Sequence, residues 1–118
     1  MRVIREIISR EDADIIALQE IGSLKGARNV LGEEYAVRFE TRCGDEAACA
    51  EDRGEIFTAI AWKKKLPISV EPVFLDALSE MHHSNCEFDE PRPVRGGVGL
   101  AFEYDGMPYT ILSVHLKA

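Results

Sequence analysis

One segment limits the fold more than any other: VGLAFEYDGMPYTILSVHL, residues 98–116. It is two alternating runs joined by Asp105-Gly106. Asp-Gly favours a two-residue hairpin turn, because both central residues of that turn take positive φ. In the outgoing run Val98, Leu100, Phe102 and Tyr104 share one face. In the return run Tyr109, Ile111, Ser113 and His115 share one face, and Thr110, Leu112, Val114 and Leu116 the other. Alternation of this kind needs an extended chain, so the segment predicts an antiparallel hairpin and excludes an all-helical fold.

Upstream the period changes. RVIREIISRE places Val3, Ile4, Ile7 and Ile8 at helical spacing among charges, which predicts a helix with one buried face. DIIALQE is a short apolar run with β-branched residues and reads as a buried strand. SLKGARNVLG returns to helical spacing, with Leu24, Ala27, Val30 and Leu31 on one face, Ser23 as N-cap and Gly32 as stop. YAVRFETR alternates as a strand, and CGDEAACAEDRGE is a polar loop without period. IFTAIAWKK and PISVEPVFL read as two more strands, with the turn at residues 63–65 and Pro67. Pro72 predicts that the second is an edge strand or is bulged. DALSEMHHSNCEFDEPRP is a long polar connection with room for one helical turn. The final strand, ending at His115, is expected to be buried. Helix, strand, helix and then mostly antiparallel strands together predict an α/β layered domain.

The 118 residues make one domain of modest size. No apolar run is long enough to span a bilayer. The charged N-terminus MRVIREIISRED is not a secretory signal, so any export signal lies outside this sequence. A net charge of -7 argues against a broad basic face for nucleic acid. It leaves room for a phosphate site whose positive charge comes from a metal ion. Cys43 and Cys49 sit close together in the polar loop. A local disulfide and two reduced loop cysteines are both open readings, and a disulfide would point to an oxidising compartment. Cys86 is left over.

Glu20 and His115 share one feature: each ends a strand whose preceding residues are apolar. A carboxylate so placed suits a hard cation such as Mg²⁺, which takes oxygen ligands and keeps several waters. A His beside it can orient or protonate a phosphate oxygen. Strand-end Glu and His residues in an arbitrary domain are more often solvated or structural.

The words around these residues carry more. DADIIALQEI resembles the D-I-x-x-L-Q-E strand of the endonuclease/exonuclease/phosphatase superfamily, the deoxyribonuclease-like fold. TILSVHLKA resembles a second signature of that superfamily, a strand ending in H-L-K. The order between them also fits: a helix after the Glu, FTAIAW like the family's A-I-x-Y/W strand, and RPVRGGVGLAFEYDG like the strand that hairpins into the His strand. The resemblance implies a layered α/β/β/α sandwich with mostly antiparallel strands. It implies Glu20 as a ligand for Mg²⁺ (or Mn²⁺) and His115 as the residue contacting the scissile phosphate or assisting the leaving group. It also implies phosphate-ester substrates: nucleic acid, phospholipid or inositol phosphate. Lys117 belongs to the second motif, where its role is structural or unassigned. Arg92 and Arg95 are candidates for the cleft rim, with a plain surface role the simpler reading.

The family also carries an opening strand ending in Asn, a downstream G-D-x-N motif and a final Asp-His pair. None of these is among the 118 residues. The expectation is therefore a fragment, residues 1–118 forming about half of the family domain. On this reading the parent is a metal-dependent phosphoric ester hydrolase, and the fragment by itself has little activity. The alternative is a catalytically inactive remnant that acts at most as a binding or interaction module. Half a sandwich exposes an apolar sheet face and unpaired edges, which favours self-association. The acidic charge and the cysteine pair lean toward a secreted or periplasmic location.

Other groups carry weaker signals. MHHSNCEFDE gathers His82, His83, Cys86, Glu87, Asp89 and Glu90, but the spacing matches no common zinc pattern. The run Lys63, Lys64, Lys65 reads as a solvated turn rather than a polyanion contact. Trp62 reads as a packing residue.

Overall fold

A computed structural model describes residues 2–44, 48–80, 82–83, 92–93 and 96–115. The chain runs α1 (Arg2–Glu11), β1 (Ile15–Ile21), α2 (Leu24–Leu31), β2 (Tyr35–Phe39), a 3-10 turn (Thr41–Cys43), β3 (Phe57–Lys63) and β4 (Val70–Leu75). It continues through α3 (Asp76–Glu80), two-residue strands β5 (His82–His83) and β6 (Arg92–Pro93), β7 (Gly97–Tyr104) and β8 (Met107–Ser113).

Two antiparallel three-stranded sheets form the body, in the orders β1-β3-β2 and β4-β7-β8. β5 and β6 make a small separate ladder. The β7–β8 hairpin turns at Asp105 and Gly106, whose φ values of 51° and 76° are those of the mirror-image turn the dipeptide favours. Val98 pairs with Ser113, Leu100 with Ile111 and Phe102 with Tyr109. The last two rings stack at 5.6 Å, so they share a face as the alternation predicts.

β3 is the central strand of the first sheet and sends its side chains to two cores. Phe57, Ala59 and Ala61 face the helices. There they pack with Ala27 and Leu31 of α2, with Tyr35, Val37 and Phe39 of β2, and with Ile8 of α1. Ile60 and Trp62 face the second sheet, where Ile60, Val98 and Leu100 are wholly buried beside Ile15 and Val70. The layers are thus helices, sheet, sheet: an α/β fold, as expected. α2 begins at Ser23, whose hydroxyl accepts from the Gly26 amide at 3.0 Å, and stops at Gly32 with φ 81°. β4 is an edge strand, where Pro72 removes no interior ladder bond.

Several expectations fail. β1 was expected to be a buried strand, yet it is the outer strand of its sheet, and Ala17, Gln19 and Glu20 are exposed with no residue of it fully buried. α1 was to bury an apolar face, yet Val3, Ile4 and Ile7 are 66%, 49% and 44% exposed, and only Ile8 joins the core. The reason is geometric: α1 packs on α2 near one end, and among the described residues nothing covers the rest of its stripe. β8 was to be buried, yet Met107–Leu112 are exposed and only Ser113 is buried. β8 is the outer strand of its sheet, and the first sheet reaches across only to its last residues. β2 also ends earlier than expected, at Phe39, because Thr41–Cys43 coil into the 3-10 turn.

Candidate metal and phosphate site

β1 pairs regularly with β3 from Ile15 opposite Trp62 to Leu18 opposite Ala59. The register then shifts, and pairing resumes with Ile21 opposite Phe57. Leu18 and Ile21 both pack on the helix side, although a regular strand would point residues three apart to opposite faces. A bulge absorbs the odd residue. Its strained member is Glu20, with φ 58°, a left-handed conformation that is uncommon outside glycine.

The bulge lies against the end of β8. The Ser113 hydroxyl donates to the Leu18 carbonyl at 3.1 Å, and the Gln19 side-chain amide donates to the Val114 carbonyl at 2.7 Å. These two bonds stitch the sheets together at one end. Beyond them, His115 Nε2 stands 3.5 Å from Glu20 Oε1. The Glu20 side chain is 63% exposed and that of His115 is 25% exposed. The carboxylate is therefore open to solvent, while the imidazole is mostly covered. At 3.5 Å the contact is longer than a good hydrogen bond and becomes an ion pair when His115 is protonated.

The structure thus brings the two sequence-predicted residues together. Among the described residues, no group of three or more His, Cys, Asp or Glu side chains converges to hold a metal. Glu20 offers an open carboxylate beside His115, which fits an ion that uses one or two carboxylates and fills its shell with water and substrate oxygens. The Arg92 backbone lies in β6, outside both main sheets, and its side chain is outside the described set. Arg95, Lys117, Cys86, Glu87, Asp89 and Glu90 lie outside the described residues, as do the side chains of His82 and His83.

Cys43 and Cys49 are joined in a disulfide with their Cα atoms 5.7 Å apart, which resolves the open choice between bridged and reduced. Lys63 is not free for a polyanion: its ammonium pairs with Asp12 and Asp14. Trp62 packs beside the inter-sheet core, as expected.

Sequence reasoning missed Glu40. It follows β2 and is wholly buried, with Arg42 donating to its Oε1. Among the described residues its Oε2 finds no close hydrogen-bond donor, and the Glu40 amide donates to the Thr58 carbonyl at 3.0 Å. Burial pushes the Glu40 carboxyl above the ordinary range, and the Arg42 guanidinium partly offsets this. The sequence signal was slight: one acidic residue closing the alternating run YAVRFE. Gln19 and Ser113 were also given no role. Their signal was a polar residue set among apolar ones at the end of a strand.

No family model matches the chain, and neither a curated protein nor a solved structure matches it. No helix among the described residues is long and apolar enough to cross a membrane.

Proposed function

We propose that this chain carries part of the active site of a Mg²⁺-dependent phosphoesterase of the endonuclease/exonuclease/phosphatase type. One observation supports the reading: the motif residues Glu20 and His115, from opposite ends of the sequence, meet at 3.5 Å on a bulge held by two inter-sheet hydrogen bonds. Neither motif, taken alone, requires that meeting.

Each residue has a distinct task. Glu20 presents an exposed carboxylate as an oxygen ligand for Mg²⁺ or Mn²⁺. A cation held there supplies Lewis-acid stabilisation of charge on a phosphoryl oxygen. His115, protonated at Nε2, donates a hydrogen bond to a phosphate oxygen beside the carboxylate. Attack by water also needs a base and an aligned nucleophile. The family motifs that supply them are not among these residues, so hydrolysis by this chain alone is expected to be weak or absent.

Mn²⁺ binding followed by water-proton relaxation tests the reading without requiring turnover. Saturable binding that disappears in Glu20→Gln is expected. Equal binding by the variant and the parent chain would remove Glu20 from the site.

A further inference from the structure

We propose that two copies of this chain pair through the outer edge of β8, antiparallel and two-fold about Ile111, to make one continuous sheet in the order β4-β7-β8-β8-β7-β4. Neither Glu20 nor a metal takes part.

The turn decides which backbone groups β8 leaves open. A two-residue hairpin closes on a pair that exchanges both its backbone bonds, and bonded and non-bonded pairs alternate from there. Tyr104 opposite Met107 is the closing pair, so Met107, Tyr109, Ile111 and Ser113 turn their amides and carbonyls toward β7. Two contacts agree. The Ile111 carbonyl points at β7, where a Cβ on Gly99 would meet it at 2.4 Å, and the Val114 carbonyl points away, where the Gln19 amide donates to it at 2.7 Å. The outer edge therefore offers the amide and carbonyl of Thr110 and of Leu112. Val114 bounds this stretch on one side with its carbonyl taken. Pro108 bounds it on the other, with no N–H to give.

That pattern is its own complement. A second copy rotated about Ile111 sets Thr110 opposite the partner's Leu112 and Leu112 opposite the partner's Thr110, and each pair exchanges both its bonds. Pro108 then falls opposite the partner's Val114, so the missing donor meets a carbonyl already used. Sliding the partner one step either way sets Thr110 against Val114 or Leu112 against Pro108, and a bond is lost. Ile111 faces the partner's Ile111 as a non-bonded pair, the kind in which side chains come closest. Tyr109, Ile111 and Leu112 are 47%, 38% and 44% exposed in one copy, and pairing covers this apolar surface. Charge selects the same strand. MPYTILSV, residues 107–114, is uncharged in a chain of net charge -7, so two copies meet there without setting like charges opposite. The other edge of this sheet, β4, carries Glu71 and Pro72, which discourage pairing. The assembly therefore closes as a two-fold dimer and does not grow into a fibre. A stable dimer buries about 1,200 Å² or more in total, and one strand edge offers less, so the dimer is weak, with a Kd of about 0.1 mM.

Sedimentation equilibrium of the 118-residue chain between about 10 μM and 1 mM should show a monomer passing to a dimer and stopping there. Mild oxidation of cysteine variants on a Cys86→Ser background reads the register. Ile111→Cys should cross-link to its partner about tenfold faster than Tyr109→Cys, because only position 111 faces itself and a disulfide needs its Cβ atoms close together. Thr110→Pro deletes an outward amide that the hairpin does not use. It should abolish the dimer while the amides between β7 and β8 keep their protection from hydrogen exchange. A monomer throughout the range, assembly beyond the dimer, or Tyr109→Cys linking as fast as Ile111→Cys overturns the proposal, as does a folded Thr110→Pro chain that still dimerises. If Thr110→Pro does not fold, the cysteine comparison decides alone.

Discussion

The side-chain amide of Gln19 donates to the carbonyl of Val114 across 2.7 Å, and the next residue on each strand is Glu20 and His115. The contact between the two motif residues is thus set by a bond between their neighbours. It matters because the inter-sheet core is small. Among the described residues only Ile60, Val98 and Leu100 are wholly buried there, each contributing roughly 1.5–3 kcal/mol.

The companion stitch gives the first prediction. Ser113 is buried, and its hydroxyl satisfies the Leu18 carbonyl. Ser113→Ala removes the donor and should cost about 1 kcal/mol in urea unfolding. Gln19→Ala, at an exposed position, should cost less. A Ser113→Ala chain with an unchanged midpoint would mean that the stitch contributes nothing.

Glu40 makes stability depend on pH. Its folded-state value is raised above the ordinary carboxyl value, chiefly by burial. A group shifted that way contributes stability that is full below its unfolded value and is lost as pH rises through its folded value. Between the ordinary carboxyl range and Glu40's raised value, acidification should therefore favour the folded chain through this residue. Glu40→Gln, which keeps the shape and drops the charge, should lose that component. Urea unfolding of both chains over a pH series rising from the ordinary carboxyl range measures it. Identical pH responses would show that Glu40 does not titrate differently on folding.

The hairpin depends on a glycine at a close approach. A Cβ on Gly99 would lie 2.4 Å from the Ile111 carbonyl oxygen, which is backbone and cannot swing aside. Gly99→Ala should cost about 1–3 kcal/mol and loosen β8. At Gly97 the nearest atom, at 2.8 Å, is the end of the Leu75 side chain, so Gly97→Ala should cost less. Urea midpoints in the reverse order would contradict the register between β7 and β8.

What was legible in the sequence was local. Asp105-Gly106 specifies its turn, Ser23 and Gly32 bound α2, and Pro72 marks an edge, because each acts through its own backbone. The words around Glu20 and His115 singled them out, and the structure sets their side chains 3.5 Å apart. What was not legible depends on what lies across a gap. Periodicity shows that α1 and β8 each have an apolar face but not whether anything covers it, and most of both is exposed. Nothing in DIIALQEI announces a bulge; it becomes visible only when Leu18 and Ile21 both have to reach the same core. Glu40's burial depends likewise on Gly96, which passes close over its side chain.

The exposed strand leads to a solution property. β8 reads MPYTILS, an edge strand with no charged residue to discourage pairing, and Tyr109, Ile111 and Leu112 are all exposed on it. The chain should sediment with concentration-dependent association, and Ile111→Lys should reduce it. A chain that remains monomeric and unfolds with a concentration-independent midpoint would contradict this.

The left-handed backbone at Glu20 allows strain and function to be separated. A non-glycine residue there costs about 1–2 kcal/mol relative to an ordinary conformation. Glycine is free of that cost, though it loses more chain entropy on folding. The ion pair with His115 is too long and too exposed to offset the difference. Glu20→Gly should therefore raise stability by about 1 kcal/mol while abolishing Mn²⁺ binding. Glu20→Ala should abolish binding without that gain, since alanine keeps the Cβ. Paired urea and relaxation measurements on both variants check the split. If the carboxylate served the fold instead, both substitutions would destabilise the chain, and the reason for holding a glutamate in this conformation would have to be sought in packing rather than in ligand presentation.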